Sequence, residues 1–172
     1  MGQLALLMNE ERSATFSDDR RYRYSLLRAW DNDLPWWGFV GLNPSTADEE
    51  TDDHTIRRCR NIAKHHGAGG IVMVNLFAYR STDPKGLIGV ADPIGRLAND
   101  WALRRASAVC ERMIAAWGNV PRALHFHGRA AEVRELLGFD RLEVLGLTKG
   151  GYPRHPSRLP GAPIPQPWRT RT

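Results

Sequence analysis

The sequence predicts an α/β protein in which helices cover both faces of a mainly parallel, four-stranded sheet. This arrangement is a three-layer α/β/α sandwich, with an antiparallel hairpin at its N-terminal side. Two observations predict it: short apolar runs alternate with helical patterns along the chain, and the segments between the runs are long enough for right-handed crossovers. The runs are continuously apolar, as expected of strands that are buried on both faces.

The elements follow in order along the chain. Tyr22, Tyr24 and Leu26 alternate with polar residues, a pattern that predicts a half-exposed strand in the hairpin. Asp52 and Asp53 can cap a helix that runs to about His66. The predicted parallel strands cover Trp36–Leu42, Ile71–Phe77, Met113–Gly118 and Leu142–Leu147, and two more helices begin at Asp92 and Pro121.

Length and composition indicate one domain. With 172 residues, 42% of them hydrophobic, the chain is long enough to bury roughly two-thirds of its unfolded surface. We expect a single domain over residues 1–172, with a core at 16–160 and a tail rich in Pro and Arg at 161–172. Acidic residues stand at the N-terminal end where a secretory peptide would carry its cleavage site, and no apolar run approaches a membrane span, so we expect a cytoplasmic protein.

The net charge and the two cysteines indicate which binding partners and cofactors to expect. The formal net charge is +5, which favours an anionic partner, nucleic acid before a membrane surface, because no basic amphipathic helix is present. A solvated basic surface is the plainer interpretation of the same charge. Cys59 and Cys110 lack the spacing of a metal site or a disulfide framework, so we expect neither metal nor cofactor.

Two loops carry the residues of chemical interest. Gly41-Leu42-Asn43-Pro44-Ser45 follows the first predicted parallel strand, and Arg154-His155-Pro156-Ser157-Arg158-Leu159 follows the last. Because open α/β folds build their sites at the carboxyl ends of the strands, we expect Asn43 and His155 to meet there. The alternatives are structural: Asn-Pro is a common turn, and a histidine before proline is ordinary in loops. Asp52 and Asp53 are read as helix caps rather than metal ligands.

The order of these motifs resembles the uracil-DNA glycosylase superfamily, and in particular its mismatch-specific uracil/thymine branch, whose first motif is an Asn-Pro loop. The motifs are Gly41–Ser45, Val74–Thr82, Trp117-Gly118 and His155–Leu159. The longer string Gly41–Asp48, with Asp52-Asp53, also resembles an uncharacterised bacterial domain family. That second resemblance covers residues ~16 to ~160 and implies no known activity.

The glycosylase resemblance implies hydrolysis of the bond between a uracil-like or damaged pyrimidine and its deoxyribose. By this resemblance Asn43 orients the attacking water, and His155 donates a hydrogen bond to a base carbonyl as charge develops. Asn75 reads the base edge with its paired donor and acceptor. The aromatic ring on which relatives stack the base is missing from residues 46–58. Either Phe77 or Tyr79 replaces it, with Phe77 our choice as a base-binding residue, or the substrate is not a simple uracil.

The resemblance also implies DNA, single-stranded or mismatched, as the partner of a monomeric protein. Leu159 holds the place from which relatives push a wedge into the base stack, and Arg158 stands where they have proline. Two other functions stay open: a nucleic-acid or nucleotide-binding module without turnover, and a nucleoside hydrolase or transferase. The predicted phosphate contacts are Ser45, Lys149, Arg154, Ser157 and Arg158.

Overall fold

The computed structural model describes residues 10–125 and 128–169. Residues 1–9, on which the expectation of a cytoplasmic protein drew, and residues 170–172 of the predicted tail lie outside the described part. Within it, none of the helices combines the length and apolar content that a membrane crossing needs.

The described strands form one sheet. The strands are β1 (Glu11–Phe16), β2 (Arg23–Ala29), β3 (Trp36–Gly41), β4 (Gly70–Asn75), β5 (Arg112–Ala115), β6 (Leu142–Val144) and β7 (Gln166–Pro167). Their order across the sheet is β1-β2-β4-β3-β5-β6-β7. The pairings of β4 with β3, β3 with β5 and β5 with β6 are parallel. The pairings of β1 with β2, β2 with β4 and β6 with β7 are antiparallel.

The predicted fold class is therefore wrong. The sheet is seven-stranded and mixed, not a mainly parallel four-stranded sheet inside a three-layer sandwich. The hairpin of β1 and β2 does not stand apart from the core, because β2 continues the sheet by pairing with β4. At the other edge, two residues of the predicted tail form β7 beside β6. Neither edge strand has the apolar pattern that identifies a strand in sequence.

Four helices accompany the sheet in the described residues: α1 (His54–His65), α2 (Arg96–Val109), α3 (Arg122–His125) and α4 (Arg129–Leu137). The side chain of Asp53 caps α1 by accepting a hydrogen bond from the Ile56 N–H at 2.9 Å. Ile56, Cys59 and Ile62 of α1 pack in one core cluster together with Ile71 and Met73 of β4. A second cluster joins residues of α2 and α4 to Val72 and Val74.

Strand β2 is more buried than its alternating sequence predicts. Arg23 is 2% exposed and Arg28 is fully buried. The segment before α1 covers this strand, because Arg28 donates to the carbonyl oxygen of Asp48 at 2.5 Å and to the Asp52 carboxylate at 2.7 Å. The prediction of a half-exposed strand therefore missed the cover that the acidic segment 48–53 gives to β2.

Candidate functional site

A cavity of about 800 Å³ opens at the carboxyl ends of the central strands. Gly41 and Asn75 are the last residues of β3 and β4, and Trp117 follows the end of β5 at Ala115. The loops that leave these strands turn polar side chains into the opening. The lining includes Asn43, Asn75 and His155 together.

Asn43 is held by the loop that follows β4. Its Nδ2 donates to the carbonyl oxygen of Ser81 at 2.8 Å and to that of Pro44 at 3.2 Å. Both amide protons are used in this way, so Oδ1 is the atom of the amide that can accept a hydrogen bond from a ligand or a water molecule. This orientation suits the predicted positioning of water.

Asn75 lies deeper, with 2% of its surface exposed. A Cβ added to Gly41 would stand 2.7 Å from Asn75 Oδ1, so glycine at position 41 allows this side chain its place. Asn75 Nδ2 is buried and has no hydrogen-bond partner in the described structure. Buried donors are nearly always paired in native proteins. An unpaired amide in a cavity wall therefore points to a ligand that accepts from it.

His155 caps a short 3₁₀ turn at Pro156–Arg158. Its Nδ1 lies 2.7 Å from Ser157 Oγ and accepts from the Ser157 backbone N–H at 3.3 Å. A backbone N–H can only donate, so the proton of the neutral ring sits on Nε2. Burial lowers the pKa of His155, as does the charge of Arg158, while Asp53 opposes them. The neutral imidazole thus retains one donor, Nε2–H.

Backbone geometry brings Gly118 close to this histidine. Gly118 has a φ of +70°, and a Cβ there would meet His155 Cβ at 3.3 Å. Both the left-handed conformation and the close approach favour glycine. The Trp117-Gly118 pair therefore shapes the wall beside His155.

The predicted phosphate contacts divide into two groups. Ser45, Ser157, Arg154 and Arg158 line the cavity, and both arginines are exposed at its rim. Lys149 is exposed and is not part of the lining.

Phe77 and Leu159 are not placed for their predicted roles. Phe77 is fully buried in the cluster shared with α2 and α4, and Leu159 is 8% exposed in the cluster beneath α1. Neither residue lines the cavity. A stacked base would not reach Phe77, and Leu159 would have to leave the core to enter a base stack.

Arg23 and Trp117 also line the cavity, and the sequence analysis gave neither of them a role in the site. Arg23 was assigned to an exposed face, yet its Nη1 donates to the Ala47 carbonyl oxygen at 2.6 Å and its Nε is buried without a partner. Burial lowers the pKa of Arg23 to about 10, so it is charged at neutral pH. Trp117 stands edge-on to Trp168, with ring centroids 5.3 Å apart, and its Nε1 is also unpartnered. The sequence signal for Trp117 was its place in the Trp117-Gly118 motif after a predicted strand.

Among the residues that the structure describes, no group of three His, Cys, Asp or Glu side chains is placed to hold a metal ion.

Comparison with known proteins places the chain in a family. Residues 23–157 match the family described as "Protein of unknown function (DUF1643)". The chain belongs to this family. The DUF1643 segment begins at Arg23 and ends at Ser157, so it contains every lining residue named above except Arg158. No curated protein and no solved structure matches the chain. The resemblance of this DUF1643 protein to uracil-DNA glycosylases therefore rests on its motifs alone.

Proposed function

We propose that the cavity binds a uracil-like or damaged pyrimidine of DNA and hydrolyses the N-glycosidic bond that joins it to deoxyribose. The observation that carries this proposal is the meeting of Asn43, Asn75 and His155, which come from three separate loops and strand ends, in one cavity wall. An acceptor for water, a buried amide for the base edge and a ring donor for a carbonyl are the groups this hydrolysis requires.

In the reaction, the bond between C1′ and the base nitrogen breaks, and its electron pair leaves with the base. The oxygen of water bonds to C1′, and the proton that the water loses passes to solvent. The departing base takes up a proton, so the products are the free base and a sugar hydroxyl. Asn43 cannot take the proton itself, so it acts by orienting water.

Charge develops on the base as the bond breaks, and neutral His155 meets it with Nε2–H. A donor fixed in place before the reaction stabilises this charge without reorganisation. The hydrogen bond from Ser157 N–H to Nδ1 holds the ring in the tautomer that makes this possible.

The exposed arginines at the rim suit the phosphates beside the base. Arg154 and Arg158 lie at the opening with Ser157 and with Ser45, whose hydroxyl can donate. Because Leu159 is in the core, extrusion of a base from a matched duplex lacks its usual wedge. Single-stranded or mismatched DNA, in which the base is already loosened, fits the site better.

The burial of Leu159 also favours a second candidate, a hydrolase of free nucleosides. A nucleoside needs no wedge and no extrusion, and the cavity is large enough for a base with its sugar. The rim arginines would then have no phosphate to bind.

The test uses oligonucleotides that carry uracil or oxidised pyrimidines in single-stranded, mismatched and matched form, with 2′-deoxyuridine beside them. We expect alkali-labile breaks in the single-stranded and mismatched substrates. Asn43→Ala should abolish them, and so should His155→Asn, because asparagine can cap the Ser157 N–H yet lacks a donor at the Nε2 position. Arg104→Gln, an exposed substitution on α2, is the control that should retain activity.

Binding without breaks would overturn the proposal. Release of free base from 2′-deoxyuridine alone would favour the nucleoside hydrolase.

A further inference from the structure

Three arginines are buried in the described structure, and one of them has no ion-pair partner there. Arg28, fully buried, pairs with Asp52 at 2.7 Å. Arg129, 4% exposed, pairs with Asp100 at 2.5 Å and with Glu132 at 3.3 Å. Arg23, 2% exposed, makes no ion pair with any described residue. Of the three, it is Arg23 that lines the cavity.

A buried charge without a partner is costly, so proteins pair such charges or supply them with a ligand. Asp53 also lines the cavity, and its charge raises the pKa of Arg23 against the effect of burial. However, Asp53 makes no ion pair with Arg23, and its Oδ1 is engaged with the Ile56 N–H at the start of α1. The guanidinium therefore lacks a direct anionic contact within the described protein.

Two neutral donors in the cavity lining are also buried without a hydrogen-bond partner. Asn75 Nδ2 and Trp117 Nε1 are buried, line the cavity and have no partner, as is true of Arg23 Nε. We call these three groups the donor floor. All of the unpartnered buried polar atoms on lining residues are donors. The complementary ligand surface consists of acceptors and carries negative charge.

We propose that the donor floor selects pyrimidines with an anionic acceptor edge, and that Arg23 supplies the counter-charge. The anion is a ring nitrogen that has lost its proton or a carboxylate on the ring. This inference rests on the proposed function in one respect, that the ligand is a nucleobase. It goes further because it predicts a preference for acidic bases over uracil itself.

The position of the charges favours a base rather than a phosphate at the donor floor. Arg154 and Arg158 are exposed at the rim, where phosphates of a strand would pass. Arg23 is buried in the same lining, as are the side-chain amide of Asn75 and the indole of Trp117. Single neutral donors of this kind match the carbonyl oxygens of a pyrimidine ring, which accept hydrogen bonds.

Calorimetric titration tests the inference with four probes: 5-nitrouracil, whose nitro group acidifies the ring N–H, orotate, which carries a carboxylate, uracil and inorganic phosphate. We expect the protein to bind 5-nitrouracil anion or orotate about tenfold or more tightly than uracil, the effect of one charge-assisted hydrogen bond. Arg23→Gln should remove this preference, because it should weaken binding of the two anionic pyrimidines far more than binding of uracil.

Further variants keep the test decisive. Trp117→Phe retains the ring without the donor and should weaken all three pyrimidines. Arg104→Gln should change nothing. If Arg23→Gln does not fold, the pH dependence of the wild-type protein replaces it: the preference for 5-nitrouracil should disappear once the pH is low enough to protonate that ligand.

The inference is overturned if the wild-type protein shows no preference, if the preference survives in Arg23→Gln, or if phosphate binds as tightly as the anionic pyrimidines. These outcomes are separate from the cleavage assay. Cleavage that depends on Asn43 and His155 without an Arg23-dependent preference would leave the proposed function standing and the inference refuted. If the Arg23-dependent preference is found but no cleavage, the cavity is a binding site for anionic pyrimidines that does not hydrolyse them.

Discussion

Replacing Asp52 with asparagine should destabilise the protein strongly, although Asp52 is not in the cavity lining. Its side chain is 7% exposed and meets three arginines: Arg28 at 2.7 Å, Arg12 at 3.3 Å and Arg60. Arg28 has no exposed surface, so the substitution leaves its charge buried without compensation. Breaking a buried pair by removing one charge costs about 3–5 kcal/mol. For a protein of this size that is a fall in Tm of roughly 6–20 °C.

The matched control is Glu49→Gln. Glu49 binds Arg20 through two hydrogen bonds, at 2.8 and 2.9 Å, but both side chains are more than 40% exposed. Water screens this pair, so its loss should change stability little. Urea denaturation of the two variants measures the difference. Equal, small changes in the free energy of unfolding would refute the view that Asp52 compensates a buried charge.

Three further predictions concern the site and the core. Gly41→Ala should weaken pyrimidine binding about tenfold, because the new Cβ would stand 2.7 Å from Asn75 Oδ1 and displace the amide. The lowered pKa of His155 means that the unfolded chain binds its proton first, so stability should fall as the pH drops below about 6.5, and His155→Asn should flatten that slope. Burial raises the pKa of Cys59, and that of Cys110 to about 12, so both thiols should resist thiol reagents until the protein unfolds.

The prediction for Gly41→Ala has a matched control. Gly38→Ala lies on the same strand as Gly41, and its Cβ would stand 2.2 Å from Met113 Sδ, away from the cavity lining. It should lower stability without lowering affinity in the folded protein. Affinity lost equally in both alanine variants, an unchanged pH slope in His155→Asn, or fast thiol labelling of the native protein would contradict the respective reasoning.

Sequence patterns located the central strands because burial on both faces leaves a continuous apolar run. Trp36–Gly41 and Gly70–Asn75 are such runs. Asn43 and His155, which we expected to meet at the carboxyl ends of the strands, line one cavity there. The edge strands could not be found in this way. Glu11–Phe16 is mostly exposed, and Gln166–Pro167 is a strand only because it pairs with β6. Long-range pairing of this kind leaves no local signal, and that is why the fold class was mispredicted.

The candidate site was accessible to sequence reasoning only in part. Asn43 and His155 could be singled out because each stands in a polar loop after an apolar run, and Asn75 because its motif resembles that of the glycosylases. Arg23 could not, because the alternation of β2 assigns it to solvent, and its burial depends on the loop that carries Ala47. Which donors are left without partners follows from three-dimensional packing alone.

The most direct test of the site is a ¹⁵N-¹H correlation spectrum recorded while uracil or 5-nitrouracil is added. We expect the indole N–H signal of Trp117 and the side-chain amide signals of Asn75 to shift in proportion to occupancy, because these unpartnered donors would gain acceptors. Signals from the exposed Trp101 indole on α2 should stay in place. If saturating ligand leaves Trp117 and Asn75 unshifted, the cavity is not a nucleobase site.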